Sequence, residues 1–299
     1  MNQYINVLVT GSSGQLGTEL YNLVKNKLNT NDQQKFIFLN RNELDITNKE
    51  DTQKFIKDKH IKIVINCAAY TNVELAEEQV EQCFLVNSSG VDNLVSGLES
   101  VEGSLIHIST DYVFNGESKV PYAEDAPTNP INAYGVSKLQ GEDIIRSSSI
   151  PFIIIRTSWL YSQYGNNFMK LVLNKLDLEE ELNIIGDQIG SPTNAFDLAS
   201  YILKSIKKLS NSVQPIRELI HFSNSGHTSW FNFANEIKNL SGSKVKINKV
   251  KVSDMNFKAQ RPKYSVLDNS KAKKFLSYND RDWRHSLLNC YKSYSGSEK

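Results

Sequence analysis

Tyr134 and Lys138 are the two side chains of this sequence best suited to acid–base chemistry. Residues four apart share one face of a helix, where an ammonium group can stabilise a phenolate and lower the pKa of the tyrosine. Tyr21 and Lys25 have the same spacing, but they fall inside the first predicted helix, where an ordinary helix surface is the simpler interpretation. Tyr134 differs because it begins a predicted helix after a loop that leaves a strand.

The strand before that loop ends in two hydroxyl groups, Ser109 and Thr110, which are followed by Asp111. Ligands of open α/β sheets bind at the carboxyl ends of the strands, so these side chains should face a ligand. A hydroxyl there, together with Tyr134 and Lys138, could polarise a carbonyl group and protonate its oxygen while a hydride reaches the carbon. The pattern therefore predicts reduction of a ketone, with either hydroxyl as the third member of the group.

A glycine-rich turn predicts the source of the hydride. Gly11, Gly14 and Gly17 are spaced by two residues each, directly after a predicted strand and at the start of a helix. Glycines let backbone N–H groups approach a diphosphate, and the helix N-terminus adds partial positive charge. The turn predicts a dinucleotide site that contains residues Gly11, Ser13, Gly14, Gln15, Leu16 and Gly17.

The end of the second predicted strand bears on the choice between NAD and NADP. An acidic residue there holds the ribose hydroxyls of NAD, whereas an arginine accommodates the 2′-phosphate of NADP. This sequence has Arg41 between two asparagines, and its first acids, Glu43 and Asp45, come later. Arg41 favours NADPH, an exposed surface arginine is the equal alternative, and NADH stays open as the cofactor.

The elements that must position these residues alternate along the chain. Short apolar runs at 5–10, 35–39, 62–66, 105–109 and 152–156 are separated by helical stretches. Such runs are typical of parallel strands buried on both faces. We expect a doubly wound parallel-sheet α/β Rossmann domain over 1–157, to which about 196–225 returns, with a strand near 218–223. Residues 158–195 and 226–299 should form a smaller C-terminal α/β substrate domain.

Composition excludes several other classes of protein. The 34 basic and 33 acidic residues leave a net charge of +1, which provides no general attraction to nucleic acid or to a membrane surface. The longest nearly apolar stretch, 63–70, is far shorter than a membrane span. No secretory signal is visible, so we expect a cytoplasmic protein. Three cysteines without CxxC spacing, and histidines without paired spacing, predict neither disulfides nor a metal site.

The sequence resembles the extended short-chain dehydrogenase/reductases and, within them, the dTDP-4-dehydrorhamnose reductases. The resemblance extends from residue 7 to about 268. It is carried by GSSGQLG at 11–17, NCAAYTNVELAEE at 66–78, STDYVFNG at 109–116, PINAYGVSKLQGE at 130–142, RTSWLY at 156–161, GDQIGSPT at 186–193 and RPKYSVLD at 261–268.

The resemblance implies a Rossmann fold, a nicotinamide cofactor, and reduction of the C4 ketone of dTDP-4-dehydro-L-rhamnose to dTDP-L-rhamnose. Matched position by position, the catalytic residues are Thr110, Tyr134 and Lys138. The cofactor site gains Arg41, Asp45, Ile46, Ala68, Ala69, Tyr70 and Asn87, besides Tyr134 and Lys138. The substrate site contains Thr110, Asp111, Trp159, Asn167, Gln188, Thr193 and Arg261. For Trp159, a place in the core is the alternative to a contact with the sugar.

Related enzymes differ from this sequence at the residues after Thr110. Sugar-nucleotide 4,6-dehydratases have a glutamate where this chain has Tyr112, and epimerase-reductases of the GDP-fucose synthase type have a cysteine in place of Asp111. The sequence therefore favours a reductase without epimerase activity. Two alternatives remain: an enzyme acting on UDP-linked or other 4-keto-6-deoxysugars, and a non-catalytic NADP-binding subunit like the regulatory subunit of methionine adenosyltransferase.

Some relatives form dimers through a metal ion held by acidic side chains. Glu19 fits one such position, whereas Phe196 and then Asp197 stand near another. We therefore predict no metal site, and the resemblance suggests a homodimer.

Overall fold

Six parallel strands form the central sheet in the computed structural model, which describes residues 5–29, 32 and 35–297. In chain order they are β1 (Asn6–Thr10), β2 (Phe36–Leu39), β3 (Ile61–Asn66), β4 (Ser104–Thr110), β5 (Phe152–Thr157) and β10 (Arg217–His221). Their order in the sheet is β2-β1-β3-β4-β5-β10. The strand order reverses between β1 and β3, where open sheets of this kind leave a crevice for ligands.

Helices cover both faces of this sheet. One face packs against α1 (Gln15–Lys27), α8 (Ala195–Asn211) and α10 (Ser270–Leu276). The other packs against α2 (Lys49–Asp58), α5 (Gly90–Glu99) and α6 (Ala133–Ser147). Successive strand residues alternate between the two cores, as Val7 and Leu8 do in β1. Burial on both faces explains why the strands are apolar throughout, and it confirms the predicted doubly wound fold.

The stretch between β3 and β4 begins with short helical pieces and not with one continuous helix. It contains two short helices, α3 (Val73–Ala76) and α4 (Val80–Phe84), and then a π-helical segment, Leu85–Ser89, that leads into α5. The π-helical segment contains Asn87, whose amide bonds to the backbone of Tyr70. A π-helical turn changes the direction of side chains within a helix, and here it turns Asn87 towards the loop after β3.

A second, smaller core lies in the C-terminal half. It is built around buried aromatic and aliphatic side chains that include Met169, Phe233 and Trp283. Its elements are β6 (Leu160–Tyr161), α7 (Phe168–Asp177), β7 (Leu182–Ile185), β8 (Ile189–Gly190), β9 (Thr193–Asn194), β11 (Thr228–Ser229), α9 (Trp230–Ser241), β12 (Ile247–Val250) and α11 (Trp283–Ser297). Strands pair in twos here, β6 with β9, β7 with β12 and β8 with β11.

The predicted division into two domains stays a prediction, and α10 packs differently from the rest of 226–299. The sequence placed all of 226–299 in the substrate domain. In the structure, Ala272 is buried in the core between the sheet and α8, and Phe275 and Leu276 pack against the same core. This helix packs on the central sheet because its apolar side lies against α8 and β10. Among the described residues, no helix is long and apolar enough to cross a membrane.

Candidate active site

The glycine turn joins β1 to α1 and lies against the loop that follows β3. Gly11 has a positive φ of 65°, and a Cβ atom there would stand 2.6 Å from the backbone nitrogen of Ala68. A Cβ atom on Gly17 would stand 2.5 Å from the carbonyl oxygen of Gly11. The turn therefore brings bare backbone to the start of α1, whose first turn contains no acidic residue. This fits the diphosphate of a dinucleotide, because the helix dipole there favours negative charge.

One cavity of about 650 Å³ begins at the glycine turn and extends along the carboxyl ends of the strands. This volume is in the range of sites for small molecules and cofactors. Of the residues predicted to bind the cofactor, all but Asn87 line it: Gly11, Ser13, Gly14, Gln15, Leu16, Gly17, Arg41, Asp45, Ile46, Ala68, Ala69, Tyr70, Tyr134 and Lys138. Four predicted substrate residues also line it: Thr110, Asp111, Trp159 and Asn167.

Arg41 and Asp45 stand together at the cofactor end of the cavity. The Nε atom of Arg41 lies 3.3 Å from Oδ2 of Asp45, and Thr47 donates two hydrogen bonds to the other carboxylate oxygen. Partial burial would raise the pKa of Asp45, but the hydrogen bonds from Thr47 and Arg41 outweigh it and hold that pKa below its usual value. The same place thus offers a cation for a phosphate and a carboxylate for ribose hydroxyls.

The helix α6 holds Tyr134 in its first turn and Lys138 one turn later. Asn132 caps this helix by accepting a hydrogen bond from the backbone N–H of Gly135 at 2.8 Å. Burial raises the pKa of Tyr134 above its usual value, and a hydrogen bond with Thr110 offsets part of that shift. Tyr134 is therefore a neutral phenol at pH 7, which is the form that can donate a proton.

The two candidate hydroxyls at the end of β4 have different partners. Ser109 donates a hydrogen bond of 2.5 Å to the buried carboxylate of Glu142, on the helix that holds Tyr134. Thr110 accepts the backbone N–H of Tyr112 and donates to Asp111, both at 3.1 Å, and its hydroxyl lowers the pKa of the neighbouring Tyr134. Both hydroxyls line the cavity and both donate within the protein, but only Thr110 acts on the pKa of Tyr134, which favours Thr110 as the partner of the phenol.

Asp111 is buried beside the catalytic candidates. Its Oδ1 atom accepts the bond from Thr110, whereas its Oδ2 atom is buried without a partner. Burial raises the pKa of this carboxyl group to about 7. A buried acceptor that lacks a donor is costly, so Oδ2 of Asp111 is suited to a hydroxyl group of the substrate.

Trp159 forms one wall of the cavity with a residue that sequence reasoning missed. Its indole stacks on that of Trp230, with ring centroids 3.6 Å apart and an interplanar angle of 10°. Both residues line the cavity, and Trp159 also packs against the smaller core, while its contact with the sugar stays a prediction. Trp159 has a positive φ of 46°, which is rare for a bulky residue and marks a backbone held by its surroundings. No local sequence signal pointed to Trp230.

Asn167 caps α7 and lines the cavity at the same time. Its side chain accepts the backbone N–H of Lys170 at 3.2 Å and donates to the carbonyl oxygens of Ser162 and Tyr164. Tyr112, which also lines the cavity, was used above only to separate related enzymes. Its ring meets that of Tyr134 edge to face, with centroids 5.7 Å apart.

Two predicted site residues lie behind the cavity wall, where they form hydrogen bonds with the backbone of residues that line it. Asn87 accepts the N–H of Tyr70 at 2.9 Å and donates to the Tyr70 carbonyl at 3.0 Å. Thr193 is fully buried, and it accepts a hydrogen bond from the Thr157 hydroxyl at 3.2 Å. Its backbone N–H bonds the carbonyl oxygen of Trp159. Both support lining residues, and their predicted direct contacts with a ligand stay predictions.

Gln188 and Arg261 are not among the cavity-lining residues either. Gln188 is buried, and its Nε2 atom has no hydrogen-bond partner. Arg261 forms an ion pair of 2.7 Å with Glu74, and its guanidinium lies 4.1 Å from the ring centroid of Phe257. The ion pair holds Arg261 against α3, near the cavity-lining Tyr112, and no local pattern could indicate this pairing.

Glu19 and Asp197 are both buried near each other. Burial, and then the carboxylate of Asp197, raise the pKa of Glu19 to about 7. Asp197 is bonded by Asn224, Ser286 and Arg281. Within the part of the chain that the structure describes, no three side chains of metal-binding type come together.

Comparisons with known proteins agree along nearly the whole chain. Residues 5–295 match the family model described as the RmlD substrate binding domain. The chain is 34% identical over 283 residues to a dTDP-4-dehydrorhamnose reductase of Sinorhizobium fredii, covering 93% of this chain and 94% of that one. It is 36% identical over 283 residues to the spore coat polysaccharide biosynthesis protein SpsK of Bacillus subtilis, covering 94% and 95%.

A solved structure extends this likeness to the fold. The dTDP-4-dehydrorhamnose reductase of Bacillus anthracis, crystallised in complex with NADP, superposes with a TM-score of 0.90 at 34% identity, covering 97% of this chain and all of that one. The likeness therefore extends over nearly the whole fold.

Proposed function

This chain belongs to the RmlD substrate binding domain family, and from that premise we propose that it reduces dTDP-4-dehydro-L-rhamnose to dTDP-L-rhamnose with NAD(P)H. The observation that carries the proposal is a single cavity with two ends. One end is the glycine turn, and the other brings Thr110, Tyr134 and Lys138 together. The protein is an NAD(P)H-dependent oxidoreductase of nucleotide-sugar biosynthesis.

The chain's own residues supply a proton and a place for the negative charge. A bound reduced nicotinamide supplies the hydride that reaches C4 of the sugar. Tyr134, a neutral phenol at working pH because burial raises its pKa, gives its proton to the ketone oxygen. Thr110 bonds the same oxygen, and Lys138 stabilises the phenolate that remains on Tyr134. Each role matches a group that lines the cavity.

The sugar is held between polar and aromatic groups. The unpartnered Oδ2 atom of Asp111 accepts a sugar hydroxyl, and Asn167 lines the same cavity. The stacked indoles of Trp159 and Trp230 offer an apolar wall to the deoxygenated side of the sugar. Tyr112 stands where the 4,6-dehydratases have a glutamate, and it has no carboxylate for the elimination of water; burial raises the pKa of its phenol to about 12.

NADPH is the proposed cofactor. Arg41 offers a cation for the 2′-phosphate, and the Bacillus anthracis relative was crystallised with NADP. Asp45 keeps NADH as the alternative, because its carboxylate is bonded to that arginine and suits ribose hydroxyls. A comparison of kcat/KM for the two cofactors decides between them.

The deciding experiment is oxidation of NADPH by the purified protein with dTDP-4-dehydro-L-rhamnose, with analysis of the sugar product. Parallel reactions contain the unepimerised dTDP-4-keto-6-deoxyglucose and the UDP-linked analogues. Turnover only with the epimerised dTDP sugar, giving dTDP-L-rhamnose, is the expected result. Rhamnose formed from the unepimerised sugar would show an epimerase activity as well. Tight NADPH binding without turnover of any sugar would support the non-catalytic subunit instead.

A cytoplasmic location and a homodimer both stay predictions. The location is tested by fractionation of cells that express the protein at its natural level. The oligomeric state is tested by the mass of the protein in solution.

A further inference from the structure

His107 is a buried histidine in the middle of β4 whose two ring nitrogens each face another side chain. Its Nδ1 atom lies 3.1 Å from Nδ2 of Asn66, at the end of β3. Its Nε2 atom lies 3.2 Å from Nζ of Lys138. The imidazole therefore connects the strand beside the glycine turn to the catalytic lysine.

The orientation of the Asn66 amide decides which ring nitrogen carries the proton. Oδ1 of Asn66 accepts the backbone N–H of Ala68 at 3.2 Å and the hydroxyl of Thr10 at 2.7 Å. A backbone N–H can only donate, so the amide oxygen must be on that side and the NH₂ group must face His107. Because the NH₂ group can also only donate, Nδ1 of His107 must accept. A neutral imidazole then carries its proton on Nε2.

This proton lies between His107 and Lys138. Nζ of Lys138 already donates a hydrogen bond of 2.6 Å to the carbonyl oxygen of Ile108. An ammonium group has only donors. Facing the protonated Nε2 of His107, it would bring two N–H donors together without an acceptor. An amine has a lone pair that can accept the Nε2 proton. The contact is therefore satisfied by the amine form of Lys138.

We propose that His107 is a positioning residue: held by Asn66 with its proton on Nε2, it donates a hydrogen bond to Lys138 and favours the amine form of that lysine in the ligand-free protein. Two further observations agree with this. Burial lowers the pKa of His107 well below its usual value, so the imidazole is neutral. Burial lowers the pKa of Lys138 to about 8.

Three other groups, Glu142, Cys83 and Cys67, raise the pKa of Lys138 and so oppose this effect. On α6, Glu142 favours the ammonium, but its charge is already paired with Arg156 at 2.6 Å. The thiols Cys67, after β3, and Cys83, on α4, are neutral because burial raises the pKa of each. Tyr134 on the preceding turn of α6 is a neutral phenol, and Asp111 has a pKa of about 7.

The consequence for catalysis rests on the proposed function. Proton donation by Tyr134 leaves a phenolate next to Lys138 on the same helix face. A lysine held near the balance of amine and ammonium can take up a proton from solvent water when that negative charge forms. His107 would thereby let the cation develop together with the phenolate.

The first test measures the tautomer of His107 in the unaltered protein by ¹⁵N NMR of labelled histidine. His221 is a matched internal control, since it is also buried but has the opposite arrangement. Its Nδ1 faces the carbonyl oxygen of Tyr122 at 3.0 Å, and its Nε2 faces Nη1 of Arg156 at 3.4 Å. The expected spectrum has His107 protonated on Nε2 and His221 on Nδ1. A proton on Nδ1 of His107 would overturn the proposal.

The second test measures the pKa of Lys138 by NMR titration of ¹³C-labelled lysine in the ligand-free protein. Asn66→Asp supplies a carboxylate that accepts from Nδ1, which reverses the tautomer and turns Nε2 into an acceptor for the ammonium. His107→Gln adds no charge and can also turn an oxygen towards Lys138. Both variants should raise the pKa of Lys138 by about one unit or more. The exposed Asn183→Asp is the control and should leave it unchanged.

An unchanged pKa of Lys138 in both variants would mean that His107 is structural only. The outcome is separable from the proposed reaction, because both measurements use protein without substrate. If the wild type reduces no nucleotide sugar, the proposed function fails while these tests still decide the role of His107. If the wild type does reduce a nucleotide sugar, the alkaline limb of the pH profile of kcat should move to higher pH in both variants. A purely structural loss would instead lower kcat equally at all pH values.

Discussion

Tyr134 and Thr110 form the smallest unit of the proposed chemistry. The phenol keeps its proton because burial raises its pKa, and the neighbouring Thr110 hydroxyl offsets part of that shift. Ser109, one residue away, instead donates to Glu142 and so joins β4 to α6. Neighbouring hydroxyls thus divide two tasks, since successive strand residues point to opposite faces of the sheet.

We expect Tyr134→Phe to lower kcat by about 100-fold or more, because the proton donor is lost while the ring remains. NADPH affinity should stay nearly unchanged. Steady-state kinetics and a binding titration measure the two effects. Tyr21, which is exposed and stands four residues before Lys25, supplies the control. Tyr21→Phe also removes a tyrosine hydroxyl, and it should leave kcat as in the wild type. Near wild-type turnover in Tyr134→Phe would contradict the assignment.

Short elements of the smaller core hold the aromatic wall of the cavity. Gly190 in β8 lies against Trp159, and a Cβ atom there would stand 2.5 Å from Cε2 of the indole. β8 pairs with β11, which leads directly into the helix that begins with Trp230. Both sides of the tryptophan stack are thus fixed by one pair of short strands.

Gly190→Ala should push Trp159 out of its stack with Trp230. We expect the KM for the nucleotide sugar to rise by about tenfold, roughly 1.4 kcal/mol, with little change in NADPH binding. The tryptophan fluorescence should change as the stack opens. Gly296→Ala is the matched control, because a Cβ atom there meets nothing within 4 Å. Equal kinetics in the two variants would mean that Trp159 does not contact the sugar.

At the scale of the whole molecule, a buried ion pair ties the catalytic helix to the sheet. Arg156 on β5 bonds both carboxylate oxygens of Glu142 on α6, at 2.9 and 2.6 Å, and its Nη1 atom faces His221 on β10. Arg156→Met would leave the Glu142 carboxylate buried without its partner. We expect a loss of about 3 kcal/mol or more in the free energy of unfolding, measured by denaturant titration.

The exposed pair Lys54 and Asp58 provides the comparison for that measurement. Lys54→Met should change the free energy of unfolding by well under 1 kcal/mol, since solvent screens such pairs. A similarly small effect in Arg156→Met would show that the buried pair does not hold α6 in place.

The buried carboxyl group of Glu19 makes stability depend on pH. Its pKa rises from 4.5 to about 7 on folding, so the folded state binds more protons than the unfolded state in that window. The free energy of unfolding therefore falls as pH rises from about 4.5 through 7. Glu19→Gln removes this loss, and its stability relative to the wild type should increase between pH 5 and pH 8. The exposed Glu50→Gln is the control, and an equal pH dependence in both variants would contradict the prediction.

Local sequence was sufficient to predict the features that depend only on residues close together in the chain. The apolar strands, the glycine turn and the Tyr134–Lys138 spacing each arise within a few residues, because backbone geometry sets the periods of strands and helices. The resemblance to a known family extended the prediction to the substrate and to most of the residues that line the cavity.

Only the tertiary structure decided contacts between distant parts of the chain. Trp230 meets Trp159 across 71 residues, and Arg261 pairs with Glu74 across 187. Asn66 and Lys138 come to the two nitrogens of His107 from separate elements. Such contacts depend on how strands and helices are arranged in space, and no period or spacing along the sequence encodes them. Sequence therefore determined which groups could react, and packing decided which of them meet and in which protonation state.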